Sequence, residues 1–118
     1  MKTERTTEDY VKTIYALSKK GDVRGCQLAD RLSVSRPTVS VTLKALTEEG
    51  FVYVDARKTV HLTKQGREIA QAVEERHRVL CDLLVSLGVD MDIASRDACR
   101  MEHAIGDESF SALKLLTR

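Results

Sequence analysis

Apolar residues return every three to four positions from about Thr7 to Lys20, where Tyr10, Val11, Ile14, Tyr15 and Leu17 share one helical face. The threonines ahead of them can cap the helix start, and Lys19, Lys20 and Gly21 supply cations and a breaker at its end. A shorter stretch from about Cys26 to Leu32 repeats the pattern, with Leu28, Ala29 and Leu32 inward. After Ser33-Val34-Ser35 comes the one proline, Pro37, whose locked φ suits a first helical turn. The helix it opens carries Val39, Leu43 and Leu46 and stops at Gly50.

The period then changes. Phe51-Val52-Tyr53-Val54 and Thr59-Val60-His61-Leu62 are short β-branched and aromatic runs separated by Asp55-Ala56-Arg57-Lys58, the pattern of a β-hairpin with a basic tip. Helix, helix, turn, helix, hairpin is the order of a winged helix-turn-helix. A long amphipathic helix follows from about Lys64 to Leu87, with Ile69, Val73, Leu80, Leu84 and Leu87 on one stripe and Gly88 ending it. Asp92 to about Ile105 predicts a further helix, and Asp107 starts a last one carrying Phe110, Leu113 and Leu116. The expected fold is therefore mainly α: a winged helix-turn-helix over 1–67, then a helical domain over 68–118. No repeat or flexible linker intervenes, so the long helix is expected to join the halves directly.

Composition narrows the class. The chain has 118 residues, 42% of them hydrophobic and 31% charged, which suits a helix-rich globular protein. No apolar run approaches the roughly 18 residues of a membrane span, and a cytoplasmic location is expected. Three cysteines, Cys26, Cys81 and Cys99, form no C-x-x-C pair and suggest reduced thiols. The net charge of +1 hides a partition: residues 1–67 hold thirteen basic and eight acidic side chains, and 68–118 hold six and ten, giving +5 against −4.

The basic half carries the chemistry of a DNA reader. The second helix of a helix-turn-helix enters the major groove N-terminus first and needs short polar groups there. Ser35, Thr38 and Ser40 can donate to phosphates or base edges, Arg36 can pair with guanine or phosphate, and the Thr38 methyl can meet a thymine methyl. Pro37 starts that helix, Lys44 lies farther along it, and Arg57 and Lys58 stand at the wing tip for backbone or minor-groove contact.

The acidic half carries metal ligands. Cys99, Glu102 and His103 fall at i, i+3 and i+4, so thiolate, carboxylate and imidazole converge on one helical face. His77 lies on the stripe of Val73, Leu80 and Leu84, where a histidine needs a partner. Asp9, beside Tyr10 on the first helix, is another group costly to bury alone. No H-E-x-x-H motif, nucleophile elbow or glycine-rich phosphate loop accompanies these groups, and an enzyme is not expected.

Thr6-Thr7-Glu8-Asp9-Tyr10, Ser35-x-Pro37-Thr38-Val39-Ser40, Leu62-Thr63-x-x-Gly66, Arg76-His77-Arg78 and Ala98-Cys99-Arg100-x-Glu102-His103 occur in order over essentially the whole chain. In these motifs the chain resembles the diphtheria toxin repressor family, as a short form without the C-terminal SH3-like domain. The resemblance implies a metal-dependent transcriptional repressor in which a homodimer binds a palindromic double-stranded DNA operator. It places Asp9, Cys99, Glu102 and His103 in one site, with His77 nearby. In the iron branch a methionine stands at Asp9 and a cysteine at Cys99; in the manganese branch these are aspartate and glutamate, so this chain is a hybrid. Lys12 replaces a manganese-branch glutamate, and an ammonium cannot ligate. Cys81 and Ser95 replace two ancillary ligands of the iron branch, leaving His77 and Cys81 as a two-ligand remnant. Thiolate with imidazole and two carboxylates favours Fe(II), Co(II), Ni(II) or Zn(II) over Mn(II), which prefers oxygen; iron is expected first, with manganese second. The competing reading is a winged-helix regulator that answers to a small effector or to oxidation of Cys99.

Overall fold

The computed structural model describes residues 4–117. The chain divides into two compact units, Met1–Gln71 and Ala72–Arg118.

The first unit begins with α1 (Arg5–Ser18), which buries Thr7, Tyr10, Val11 and Ile14. Its N-cap is Glu4 and no side chain caps it, and Thr6 and Thr7 lie inside the first turn instead of ahead of it. The pair α2 (Gly25–Leu32) and α3 (Arg36–Glu48) are joined by a three-residue turn. Ser33 makes that turn in the left-handed region, at φ 56° and ψ 44°, and the amides of Ser33 and Val34 both donate to the Ala29 carbonyl. Leu28 and Ala29 of α2 and Val39, Leu43 and Leu46 of α3 face the core. Both helices thus follow the apolar spacing that predicts them.

The wing is an antiparallel hairpin, β1 (Val52–Val54) and β2 (Val60–Leu62), in the register Val52↔Leu62, Tyr53↔His61, Val54↔Val60. Val52, Val60 and Leu62 point to the core. The Val60 amide donates to the Val23 carbonyl at 2.8 Å, tying β2 to the segment before α2. The next helix, α4 (Lys64–Ser86), starts on Thr63, whose Oγ1 accepts from the Gly66 amide at 3.1 Å and donates to the Gly50 carbonyl at 2.7 Å. A Cβ at Gly66 would fall 2.1 Å from the Phe51 carbonyl oxygen, so only glycine lets α4 start against the wing.

The second unit is built on the rest of α4, α5 (Met91–Ala104) and α6 (Asp107–Lys114), followed by one 3-10 turn at Leu115–Thr117. Leu80, Cys81, Ala94 and Ala98 form its centre, with Leu84, Val85, Val89, Met101, Ile105 and Leu113 packed around them. Ala94 and Ala98 bring small side chains of α5 into that centre. Asp90 caps α5 by accepting from the Asp92 amide at 3.1 Å. Phe110 is buried, whereas Leu115 and Leu116 are 63% and 71% exposed. Leu87, expected on the inward stripe, is 79% exposed because α4 ends at Ser86 and the chain turns away.

Candidate functional site

Two constellations stand out, one in each unit. In the first, α3 begins with Ser35 as N-cap, whose Oγ accepts from the Thr38 amide at 3.2 Å and lies 2.8 Å from the Thr38 hydroxyl. Arg36 and Pro37 fill the first two helical positions, where a missing proline N–H costs nothing. With Val39, Leu43 and Leu46 inward, Arg36, Pro37, Thr38, Ser40 and Lys44 are exposed. Ser35 and Thr38 therefore have part of their hydrogen-bonding capacity committed to the cap, while Arg36, Ser40 and Lys44 are presented outward.

Arg57 and Lys58 are exposed at the wing tip, and Lys58 holds a positive φ of 68°. A groove of about 380 Å³ lies between α3 and the wing, with Val39, Leu43, Val54 and Val60 on its floor and Arg36, Ser40, Lys44 and Lys58 among its lining. Cys26 also lines it. The structure thus brings four of the sequence-predicted DNA residues to one concave, cationic surface. No carboxylate lines this groove, so its lining charges are of one sign and suit a polyanion.

The second constellation is built on Glu102. Its side chain is fully buried, yet its carboxylate lies between two imidazoles: Oε2 is 3.2 Å from His77 Nδ1 and Oε1 is 3.3 Å from His103 Nε2. The His103 side chain is 4% exposed and that of His77 26%. Burying a carboxylate costs several kcal/mol unless cations or donors meet it. Neither contact has the alignment of a hydrogen bond.

Those spacings bear on metal binding. With metal–ligand bonds of about 2.1 Å, neighbouring ligand atoms stand about 3.0–3.4 Å apart across octahedral or tetrahedral angles. Both N···O separations fall in that range, so Glu102 is spaced from each imidazole as two ligands of one divalent ion would be. Each imidazole faces a different carboxylate oxygen, however, and among the described residues no three His, Cys, Asp or Glu side chains already enclose a common point. Cys99, expected on the same face as Glu102 and His103, is exposed one turn earlier on α5. Cys81 is buried with its thiol 3.9 Å from the Met91 sulfur. Asp9 lies on α1 of the first unit, 3.8 Å from Arg5, and its side chain is 37% exposed.

Some organising residues escape a sequence reading. Arg76, noted there only within a motif, donates from Nη1 to the carbonyl of Ile105 and pairs with Asp107, while its guanidinium sits 5.2 Å from the Phe110 ring centroid. It thereby holds the end of α5, which carries Glu102 and His103, against α4 and α6. In the wing, Asp55 accepts from the amides of Arg57 and Thr59 and contacts the ring of His61. The only sequence signal for either was a charged residue beside a proposed functional one.

Comparison with known proteins adds an independent line. The sequence model of the iron dependent repressor N-terminal DNA binding domain matches residues 2–60, and that of the iron dependent repressor metal binding and dimerisation domain matches residues 63–118. The transcriptional regulator MntR of Escherichia coli O6:H1 is 39% identical over 112 residues, which is 94% of this chain and 72% of that protein. The diphtheria toxin repressor of Corynebacterium diphtheriae is 38% identical over 105 residues, 87% of this chain and 46% of that one. Among solved structures, a manganese-dependent transcriptional repressor in complex with manganese aligns with a TM-score of 0.83 at 34% identity, covering 92% of this chain and 51% of the other. The manganese regulator SloR aligns with a TM-score of 0.80 at 32% identity, covering 94% and 53%. The chain spans about half the length of these two solved structures.

Proposed function

The chain belongs to the iron-dependent repressor family, and on that premise we propose that it is a DNA-binding transcriptional repressor whose operator affinity is set by a divalent metal. The observation that carries the metal half of this reading is the fully buried Glu102 carboxylate bracketed by His77 and His103. The DNA half is supported by the cationic groove between α3 and the wing.

We assign Glu102, His103 and His77 as metal ligands, with Cys99 as a further ligand from α5. Asp9 joins them on the strength of the family resemblance. A bound divalent ion supplies positive charge to a buried carboxylate. Cys99 is exposed, and the buried part of the donor set is imidazole and carboxylate, which suits Mn(II) as well as Fe(II). The relatives named for manganese point the same way, so the expectation of iron ahead of manganese gives way to parity.

Asp9 belongs to the first unit and the other proposed ligands to the second, and metal would favour the DNA-competent state by its differential affinity for it. We further propose a homodimer that reads a palindromic operator through two copies of α3 and the wing, in the cytoplasm.

Anisotropy of a labelled operator fragment, titrated with the protein in Mn(II), in Fe(II) under anaerobic conditions and in excess chelator, tests this. Metal is expected to tighten binding by about tenfold or more, and Asp9→Ala to remove that gain while leaving the circular dichroism spectrum unchanged. Equal affinity with and without metal would refute the reading.

A further inference from the structure

The wing tip is held by groups to which DNA binding assigns no role. Asp55 follows β1, and its Oδ1 accepts from the backbone amides of Arg57 at 2.9 Å and Thr59 at 3.0 Å, while Oδ2 lies 2.8 Å from Nε2 of His61. Three contacts on one carboxylate close the loop around Ala56-Arg57-Lys58. The backbone adds two more closures, from the Asp55 amide to the Thr59 carbonyl and from the Lys58 amide to the Asp55 carbonyl, each 3.0 Å. His61 is itself stacked on Tyr53, with ring centroids 4.8 Å apart and planes at 17°. From the other side, Arg24, the N-cap of α2, donates from Nη1 to the carbonyl of Arg57.

An acidic side chain in this place works against the charge of the loop it belongs to. It cancels part of the field of Arg57 and Lys58 and repels phosphate, so electrostatics alone would favour a neutral residue. Its geometry accounts for it. Lys58 sits in the left-handed region, which L-residues rarely adopt, and a loop asked to do so relaxes unless its surroundings fix it. Asp55 fixes the amides on both sides of Lys58, through hydrogen bonds that carry the carboxylate's charge.

We propose that Asp55 is a positioning residue for DNA binding, whose carboxylate holds the wing tip in the conformation that presents Arg57 and Lys58 to the phosphate backbone, with Arg24 bracing the tip from α2. The inference rests on the DNA-binding reading above and concerns a residue that reading does not place on DNA.

The test is a salt series. The chain, in excess Mn(II), is titrated against a fluorescein-labelled DNA duplex of mixed sequence, and log affinity is plotted on log salt concentration. Each phosphate contact contributes about one unit of slope. Asp55→Ala is expected to weaken binding, although it removes a negative charge, and to flatten the slope by about one unit or more, as Lys58→Ala does. Asp55→Asn, whose amide oxygen still accepts from both backbone amides, is expected to restore most of the wild-type slope. Asp55→Glu keeps the charge and misplaces the acceptor, so it is expected to flatten the slope even if the alanine variant does not fold. Wild-type or tighter binding by Asp55→Ala, or a wild-type slope in Asp55→Glu, overturns the proposal. If Lys58→Ala flattens the slope and neither Asp55 variant does, this inference fails and the DNA-binding reading stands. If the wild-type chain shows no salt-dependent binding, both fall.

Discussion

Nδ1 of His77 lies 3.2 Å from Oε2 of Glu102, joining the middle of α4 to the last turn of α5 through a carboxylate with no exposed surface. That pairing makes Glu102 the residue whose loss is most informative. Thermal unfolding of the wild-type chain is expected to shift upward with Mn(II), since a ligand at a hundred times its dissociation constant adds about 2.7 kcal/mol. Glu102→Gln removes the charge at nearly constant volume and is expected to abolish the shift. A differential scanning fluorimetry titration that rises equally for both proteins would exclude Glu102 as a ligand.

Ser33 occupies a backbone region that costs an L-residue about 1–2 kcal/mol, and nothing but the turn between α2 and α3 demands it. Ser33→Gly is expected to stabilise the protein by up to about 1 kcal/mol, since glycine also loses more entropy on folding. Urea denaturation would show this as a higher midpoint at unchanged slope, and a lower midpoint would contradict it.

The opposite outcome is expected at Gly66. A methyl group there meets the Phe51 carbonyl at a separation real structures do not tolerate. Gly66→Ala should cost about 1–3 kcal/mol or more as the start of α4 and the wing move apart, lowering the urea midpoint. Stability equal to wild type would mean that the helix starts elsewhere.

Asp55 provides a pH prediction. The His61 hydrogen bond first, and then the Thr59 amide, hold its carboxyl below the usual carboxylate value; burial opposes them, and the Arg57 amide adds less. A folded-state pKa below the unfolded one means that the group stabilises the folded wing above the unfolded value, and that this support is lost as pH falls through the folded value. In an acid titration followed by NMR, the amides of Arg57 and Thr59 should shift together at a pH below the ordinary aspartate range. Asp55→Asn should remove that transition.

Leu115 and Leu116 extend the apolar character of α6 into solvent. If this end of the chain joins a second copy, Leu115→Glu with Leu116→Glu should move the sedimentation profile toward monomer and leave helix content unchanged. An unaltered dimer would place the interface elsewhere.

Elements that follow a single period were readable from the sequence. α1, α2 and α3 lie within a few residues of where the spacing around Tyr10, Leu28 and Val39 puts them, because each buries one face and ends on a breaker or a turn, and α5 lies close to the expected Asp92–Ile105. Cys99, Glu102 and His103 were legible as ligand types at helical spacing, but the spacing did not show how differently they are buried. An i, i+3, i+4 set spans a wide arc, and in the fold one edge of that arc faces solvent. The contacts of Arg76 with the Ile105 carbonyl and Asp107 bridge 29 and 31 positions, beyond the reach of any periodicity. Asp55 is a different case, since its partners are two to six residues away. There the missing information was the loop conformation, including the left-handed Lys58, which no residue type at that position announces.

The boundary between the two units falls within α4, between Gln71 and Ala72, and not in a loop. A protease seeking an extended, unprotected peptide finds none at that junction, because the bonds there belong to a continuous hydrogen-bonded helix. Limited digestion should therefore nick the chain first at exposed turns such as Leu87–Gly88 or the wing tip, leaving the junction intact. For the same reason, a fragment cut at the unit boundary would expose a severed helix end on either side, so truncation is a poor way to separate the two activities and point substitution the better one.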